Sequence, residues 1–359
     1  MPHANPLLDF SGLPRFGSIR PEHITPAVDA LLAKARVTVA EVAQDATPAT
    51  WQALVDPISD ALDRLGRAWG VVSHLNAVVN TPELRDAHNE NQPKIVAFHT
   101  DLGQDLRLFA KYRALRDSAE YARLEPAARR LLDNELRDFK LGGAELPEAQ
   151  KARFKALQEE LAELSTRFEE HLLDATNAWA HYVTDERDLA GVPADVITEA
   201  RAAAETDGKP GWKLTLRMPC YLPVLLYADQ RDLRQRMHEA YSTRASDLGA
   251  DPAWNNGPLV DRILTLRHEV ATLLGYASYA EVSLVPKMAQ DPDEVIAFLR
   301  DLARRAKPFA QRDFAEVAAF AREHLGLAEL APWDVPYASE KLKAQRYAYN
   351  EQEVRHYFP

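Results

Sequence analysis

Cysteine is almost missing from this 359-residue sequence, in which Cys220 is the single thiol. One cysteine can form neither an intramolecular disulfide nor a cysteine cage around a metal ion. The sequence indicates no base that would activate this thiol, so we interpret Cys220 as a small buried apolar residue. A low cysteine content is typical of proteins in a reducing compartment, and we expect a cytoplasmic protein.

Glycine and long apolar runs are scarce as well. The sequence has 14 glycines and contains no G-x-G-x-x-G or Walker-type loop, so nothing in it supports nucleotide binding. The longest apolar runs, such as residues 222–228, are too short to cross a bilayer. The first residues show no basic region followed by an apolar stretch, so we expect neither a secretory signal nor a membrane partner.

Basic residues are fewer than acidic residues. Lysine and arginine total 43 against 54 aspartates and glutamates, which gives a net charge of −11, and no run of five basic residues occurs. A general nucleic-acid binder needs a basic face, so we expect no nucleic-acid partner. An acidic balance also improves solubility and therefore identifies no partner by itself.

The residues that are abundant favour helices. Hydrophobic residues make up 46% of the chain and charged residues 27%, with much alanine, leucine, glutamate and arginine, so we predict a mainly α protein with a substantial core. Threonine-proline pairs at residues 25–26, 47–48 and 81–82 predict helix starts. Apolar periodicity predicts further helices over 225–248 and 258–274.

Other patterns interrupt or extend this helical plan. Pro57 should kink or break the helix that contains it, and Pro308 should bend or split a helix that begins at residues 291–292. The longest helical pattern runs from about 147 to 179, with apolar residues three or four positions apart. Alternating stretches at about 179–184 and 212–217 predict a two-stranded antiparallel element.

These elements suggest three regions. We expect an N-terminal helical region over 1–143, then the long helix with its β element over 144–218, and a second helical region over 219–359. The paired carboxylates at 159–160 and 169–170 fall on the long helix, where a solvated charged face explains them without an acid–base role.

Histidine offers the best test for metal chemistry. A thermolysin-like zinc site needs two histidines four residues apart on one helix, with a glutamate directly after the first. His238-Glu239 is followed by Ser242 at the required position, and His268-Glu269 is followed by Thr272. Neither pair fits this geometry, and we interpret both as solvated helix-face residues. His171 and His181 also have no partner four residues away.

A stretch near residue 333 resembles a known signature. Trp333-Asp334, Tyr337 and Glu340-Lys341 resemble the Trp-Asp…Tyr-Tyr…Glu-Lys pattern of the thimet oligopeptidase and oligopeptidase A family of zinc metallopeptidases. One tyrosine of the usual pair is replaced by Ala338. The sequence at residues 357–359, Tyr-Phe-Pro, also fits the family.

Three further segments resemble the same family in the same order along the chain. They cover residues 5–29, 236–249 and 273–289, and together they are most similar to the bacterial oligopeptidase A branch. The resemblance implies a mostly helical, two-lobed enzyme with a deep channel that admits short peptides. It also implies zinc on a His-Glu-x-x-His helix with a later glutamate ligand.

In that family the metal-site residues follow the Tyr-Phe-Pro segment. We therefore expect this sequence to be the N-terminal, non-catalytic half of such an enzyme, inactive alone, with the C-terminal catalytic half as its partner. No catalytic, cofactor-binding or metal-binding residue is assigned within it, and zinc is expected only in the complete enzyme. The alternative is a stand-alone helical module that binds peptides without catalysis.

Overall fold

The computed structural model describes residues 5–347 together with Val354 and Tyr357. Over these residues the fold is mainly α, as predicted, with thirteen α-helices and one small sheet. In chain order the helices are α1 (Ile24–Val42), α2 (Asp56–Val78), α3 (Pro82–Gly103), α4 (Leu106–Arg116), α5 (Pro126–Leu141), α6 (Glu148–Ala178), α7 (Ala194–Thr206), α8 (Met218–Tyr227), α9 (Arg231–Thr243), α10 (Gly257–Leu273), α11 (Tyr279–Leu284), α12 (Pro292–His324) and α13 (Val335–Tyr347).

The sheet pairs strands β1 (Ala180–Val183) and β2 (Trp212–Thr215) in antiparallel register, with Val183 opposite Trp212. The predicted β element and the predicted long helix, here α6, are thus confirmed. Gly211 enters β2 with a φ of +87°, and a Cβ at this residue would lie 2.1 Å from the Val183 carbonyl oxygen. Only glycine allows this close backbone approach without strain.

The chain divides into two compact units, each made of two stretches of sequence. The first unit holds the residues up to Ser165 and Ile263–Pro292, and the second holds Thr166–Arg262 and the residues from Asp293 onward. The three-region organisation suggested by the sequence stays a prediction. None of the helices in the described part of the chain combines the length and apolar character needed to cross a membrane.

The first unit contains two apolar cores. One joins α1, α2 and α3, and the other joins α4 and α5 to the turn before α2. Thr81 caps α3 as predicted, because its hydroxyl oxygen accepts a hydrogen bond from the amide of Leu84 at 3.3 Å. The cap predicted at Thr25 is wrong, since α1 begins two residues before Pro26, at Ile24, without a side-chain cap.

The region around Pro57 also differs from the prediction. The helix expected from residues 47–48 begins only at Trp51, where the hydroxyl of Thr50 accepts a hydrogen bond from the amide of Ala53. A π-helical turn over Trp51–Val55 then leads into α2, so Pro57 lies in the first turn of a new α-helix. Proline is well tolerated there because its missing N–H would have no helical partner.

The second unit is built on the β element with α7, α8 and α9 packed around it. The single helix predicted over 225–248 is wrong, because α8 ends at Tyr227 and α9 starts at Arg231. The buried side chain of Arg234 stabilises the segment between the two helices. Its Nη1 donates hydrogen bonds to the carbonyl oxygens of Ala228 at 2.8 Å and Asp229 at 3.2 Å. These bonds satisfy carbonyl groups that the end of α8 leaves without helical partners.

Helix α12 runs through Pro308 without interruption. Of the two alternatives predicted, splitting is therefore wrong, and a bend at Pro308 stays a prediction. A proline inside a helix removes one backbone hydrogen bond, and the strong helix formers on both sides of Pro308 can sustain the helix across that loss.

Candidate functional site

The stretch with the Trp-Asp signature lies at the start of α13 and is organised around Asp334. This carboxylate is completely buried. Its oxygens accept hydrogen bonds from Nη2 of Arg231 at 2.7 Å, Nη2 of Arg234 at 2.8 Å and the amide of Ala331 at 3.0 Å. Asp334 therefore connects the beginning of α13 to two residues of α9 that lie three positions apart.

The arginines that face Asp334 are not equivalent. Arg234 is 1% exposed, and besides Asp334 it bonds the carbonyl oxygens of Ala228, Asp229 and Trp333, whereas the side chain of Arg231 is 47% exposed. Burial alone would raise the pKa of Asp334, but the hydrogen bonds from the two arginines hold this pKa below its usual value. The carboxylate is thus a permanent anion near neutral pH.

A second group of contacts surrounds Tyr337. Its hydroxyl donates to Oδ1 of Asp229 at 2.8 Å, and Nζ of Lys341 lies 3.0 Å from the same oxygen. The Arg234 guanidinium lies over the Tyr337 ring, 4.0 Å from its centre. Burial, together with the hydrogen bond to Asp229, raises the pKa of Tyr337 to about 12. This phenol therefore stays protonated and serves as a donor.

The remaining signature residues join the same arrangement. Oε1 of Glu340 accepts a hydrogen bond from the Tyr227 hydroxyl at 3.3 Å, so α13 also contacts α8. Ala338, which replaces the usual tyrosine, is fully buried. Each signature carboxylate or cation is neutralised by a partner within the second unit. These contacts fix the positions of α8, α9 and α13 relative to one another.

The histidine-glutamate pairs lie in different surroundings from each other. His238 on α9 is half-buried with its ring 5.9 Å from that of Trp333, and Glu239 is exposed. Glu269 on α10 accepts two hydrogen bonds from Arg153, both at 2.6 Å, and His268 is exposed. The interpretation as solvated residues thus holds for Glu239 and His268. His238 instead packs near Trp333, and Glu269 forms an ion pair with Arg153.

The residues described by the structure do not fit the zinc site that the resemblance implies. Among them no group of three His, Cys, Asp or Glu side chains is placed to hold a metal ion. His171 instead bonds Asn256 at 2.9 Å between Nδ1 and Oδ1. Burial raises the pKa of Cys220, whose sulfur accepts a hydrogen bond from the Thr215 amide at 3.4 Å, so this thiol stays protonated.

Of the Tyr-Phe-Pro segment that resembles the family, the structure describes only the tyrosine. Tyr357 of the Tyr-Phe-Pro segment is exposed, whereas residues 358 and 359 lie outside the residues that the structure describes.

Comparison with known families decides the relationship. Residues 28–151 match the family described as Neurolysin/Thimet oligopeptidase, N-terminal domain, and residues 224–359 match Peptidase family M3. Oligopeptidase A from Salmonella typhimurium is 44% identical over 356 residues, which is 99% of this chain and 52% of the relative. The chain belongs to peptidase family M3.

Two further relatives match the chain over the same share of its length. Oligopeptidase A from Escherichia coli is also 44% identical, over 99% of this chain and 52% of its own length. Dipeptidyl carboxypeptidase from Escherichia coli is 26% identical over the same two shares. The chain spans about half the length of these curated relatives. Relatives that match the same share of this chain thus have names that describe different peptidase activities.

The sequence did not reveal which residues partner the M3 signature. Asp229, Arg231 and Arg234 lie about a hundred positions before the signature, and their role depends on the fold. One signal was available in retrospect: Arg234 stands next to Leu233 and three residues before Met237, on the apolar side of α9. A charged residue on a buried helix face requires a counter-charge.

Proposed function

We propose that this chain is the N-terminal, non-catalytic part of an M3 oligopeptidase of the oligopeptidase A type. The observation that carries this proposal is the 44% identity over 99% of the chain to two proteins named Oligopeptidase A. In the proposed complete enzyme, these helices build one part of a channel wall for short peptide substrates. The signature network around Asp334 keeps α8, α9 and α13 in fixed relation for that purpose.

We further propose that zinc and its ligands are supplied by residues outside these 359. The two histidine-glutamate pairs of this sequence lack the second histidine, with Ser242 and Thr272 at the positions where it should stand. A polypeptide without that pair of imidazoles cannot hold zinc in the M3 manner, and it should not cleave peptides by itself. A cytoplasmic location, which the single thiol favours, belongs to the same proposal.

The exposed apolar side chains of α12 support the proposal that another protein part packs on this helix. Six large apolar side chains on this helix are between 44% and 62% exposed; they are Ile296, Phe298, Leu299, Leu302, Phe309 and Phe314. A concentration of large exposed apolar side chains on one helix is typical of an interaction site. We propose that the catalytic part of the oligopeptidase covers exposed apolar side chains of α12, among them Phe298 and Leu302.

A peptidase assay on the 359-residue chain tests the proposal. The chain is incubated with excess Zn²⁺ and short peptides carrying a fluorophore and a quencher, and we expect no cleavage. Binding of a hydrophobic dye is measured in parallel, and the double variant Phe298→Ser with Leu302→Ser should bind clearly less dye than the parent chain. Cleavage that a chelator abolishes would overturn the proposal that the chain is non-catalytic.

A further inference from the structure

The first unit contains a cleft of about 520 Å³. It lies among α3, the end of α5, α6, α10 and α11. Its volume falls in the range of small-molecule sites, which are about 300–1,000 Å³. All of its lining residues belong to the first unit.

One part of the cleft wall is apolar and firmly built. Ile95, Phe154 and Leu161 line it, and all three are at least nine-tenths buried. Gly103 and Gly142 meet at the ends of α3 and α5, where a Cβ on Gly142 would lie 3.2 Å from the Cα of Gly103. This close contact fixes the two helix ends that border the cleft, so the apolar wall is preformed.

The other part of the cleft carries polar groups that lack protein partners. Among the residues that the structure describes, Arg267 forms no hydrogen bond or ion pair, and its guanidinium lies 5.0 Å from the centre of the Tyr279 ring. The Tyr279 hydroxyl and the Gln158 side-chain amide form no hydrogen bond within the same set of residues. These three groups offer donors to a bound molecule.

The nearby carboxylates are already engaged. Glu269, two residues after Arg267, is held by Arg153 at 2.6 Å, and Asp101 on α3 is held by Lys155 at 2.6 Å. Neither carboxylate lines the cleft, and no other aspartate or glutamate appears among its described lining residues. Arg267 is therefore a positive charge whose usual protein partners are occupied elsewhere.

A comparable cleft in the second unit shows the contrast. It measures about 430 Å³, and its two cationic side chains are satisfied within the fold. Lys213 pairs with Asp207 at 2.6 Å, and Arg217 donates to Oδ1 of Asn177 at 3.0 Å. The guanidinium of Arg267 thus distinguishes the cleft in the first unit from this one, because both cations of this second cleft have protein partners.

We propose that this cleft binds a carboxylate that carries an apolar body. Arg267 pairs with the carboxylate, Gln158 and Tyr279 donate additional hydrogen bonds, and the apolar body packs on Phe154 and its neighbours. Arginine suits this role because its planar guanidinium binds both carboxylate oxygens at once. Burial lowers the pKa of His99, another lining residue, so that Arg267 carries the full positive charge of the lining near neutral pH.

The C-terminal residue of a peptide and a free arylalkanoic acid both have this chemistry. The site is tested on the 359-residue chain by calorimetry with 3-phenylpropionate, with its amide, and with Ala-Ala-Phe bearing a free or an amidated C-terminus. We expect both carboxylates to bind, and each amide to bind at least about tenfold more weakly because it loses a charge-assisted pair. The affinities of the two carboxylates distinguish the two kinds of ligand. Tighter binding of Ala-Ala-Phe than of 3-phenylpropionate indicates a peptide C-terminus, and weaker binding of Ala-Ala-Phe indicates a free acid.

Variants locate the binding. Arg267→Gln should weaken both carboxylates by at least about tenfold. Arg130→Gln makes the same charge change at an exposed position of α5 and should leave binding unchanged. Gln158→Glu adds a negative charge without removing a core contact, and it should also weaken binding, which provides a second test should Arg267→Gln misfold.

Equal binding of carboxylate and amide would overturn the proposal, as would binding that Arg267→Gln and Gln158→Glu leave intact. Absence of measurable binding of either carboxylate at millimolar concentration would overturn it as well. The measurement needs neither zinc nor turnover, so its result is independent of the proposed oligopeptidase function.

Discussion

The buried ion network predicts a large penalty for Asp334→Ala. The substitution removes the carboxylate that neutralises Arg234, which is 1% exposed and keeps only three carbonyl acceptors. Breaking a buried ion pair by deleting one partner destabilises proteins by about 3–5 kcal/mol. Domains are commonly stable by about 5–15 kcal/mol, so this variant should lose a large fraction of its stability.

Urea denaturation and hydrogen exchange should both reveal the loss. The midpoint of urea unfolding should fall, and the amides of α9 and α13 should exchange faster while those of α1 to α3 change little, because the network lies in the second unit. Glu205→Ala on α7 is the matched control, since its partner Arg201 is 3.9 Å away and both side chains are well exposed. Exposed pairs of this kind contribute at most about 1 kcal/mol.

A double-mutant cycle separates the pair from its surroundings. Asp334→Ala and Arg234→Met should together destabilise the chain by less than the sum of the two single effects, because the second change removes the charge that the first leaves unpaired. The reasoning would be refuted if Asp334→Ala lost no more than Glu205→Ala, or if the two effects simply added.

Three smaller predictions concern the same unit. Tyr337→Phe removes a 2.8 Å hydrogen bond to Asp229, and thermal or urea unfolding should show a loss of about 1–2 kcal/mol. Gly211→Ala should lose at least about 2 kcal/mol because its φ is +87° and a strand carbonyl lies 2.1 Å from the new Cβ; Gly208→Ala, with φ +67° and open space, should lose less. The folded-state pKa of Asp334 lies below the unfolded value, so its stabilisation is full above about pH 4 and is lost as the pH falls through the folded value. The free energy of unfolding should therefore decline less steeply below pH 4 in Asp334→Asn than in the parent chain, and equal slopes would contradict this reasoning.

Local signals in the sequence located most elements correctly. The period of apolar residues predicted α6, and alternating aromatic and β-branched residues predicted β1 and β2. Thr81 gave the start of α3, where the hydroxyl cap is a purely local interaction. These features succeed because each depends on residues only a few positions apart.

Prediction failed where a distant residue determines local structure. The apolar pattern continues from α8 into α9, and the sequence shows no glycine or proline at residues 228–230 to mark a break. The chain nevertheless turns there because Arg234 bonds the carbonyl of Ala228, and Arg234 is buried only because Asp334 lies opposite it. A contact across a hundred residues thus fixes a helix end, which no window of local sequence can show.

Helix α12 exposes a different limit of periodicity. Ile296, Leu299 and Leu302 follow one another at three-residue intervals, the interval that also separates Val28 and Leu31 on α1, which are at most 6% exposed. On α12 the same spacing leaves side chains 44–52% exposed. An apolar stripe predicts that a helix face is covered, and it carries no information about which polypeptide covers it. The structure adds that information for α12: within the described residues this chain does not cover the stripe, so the free-energy gain from burying it is available to another protein surface.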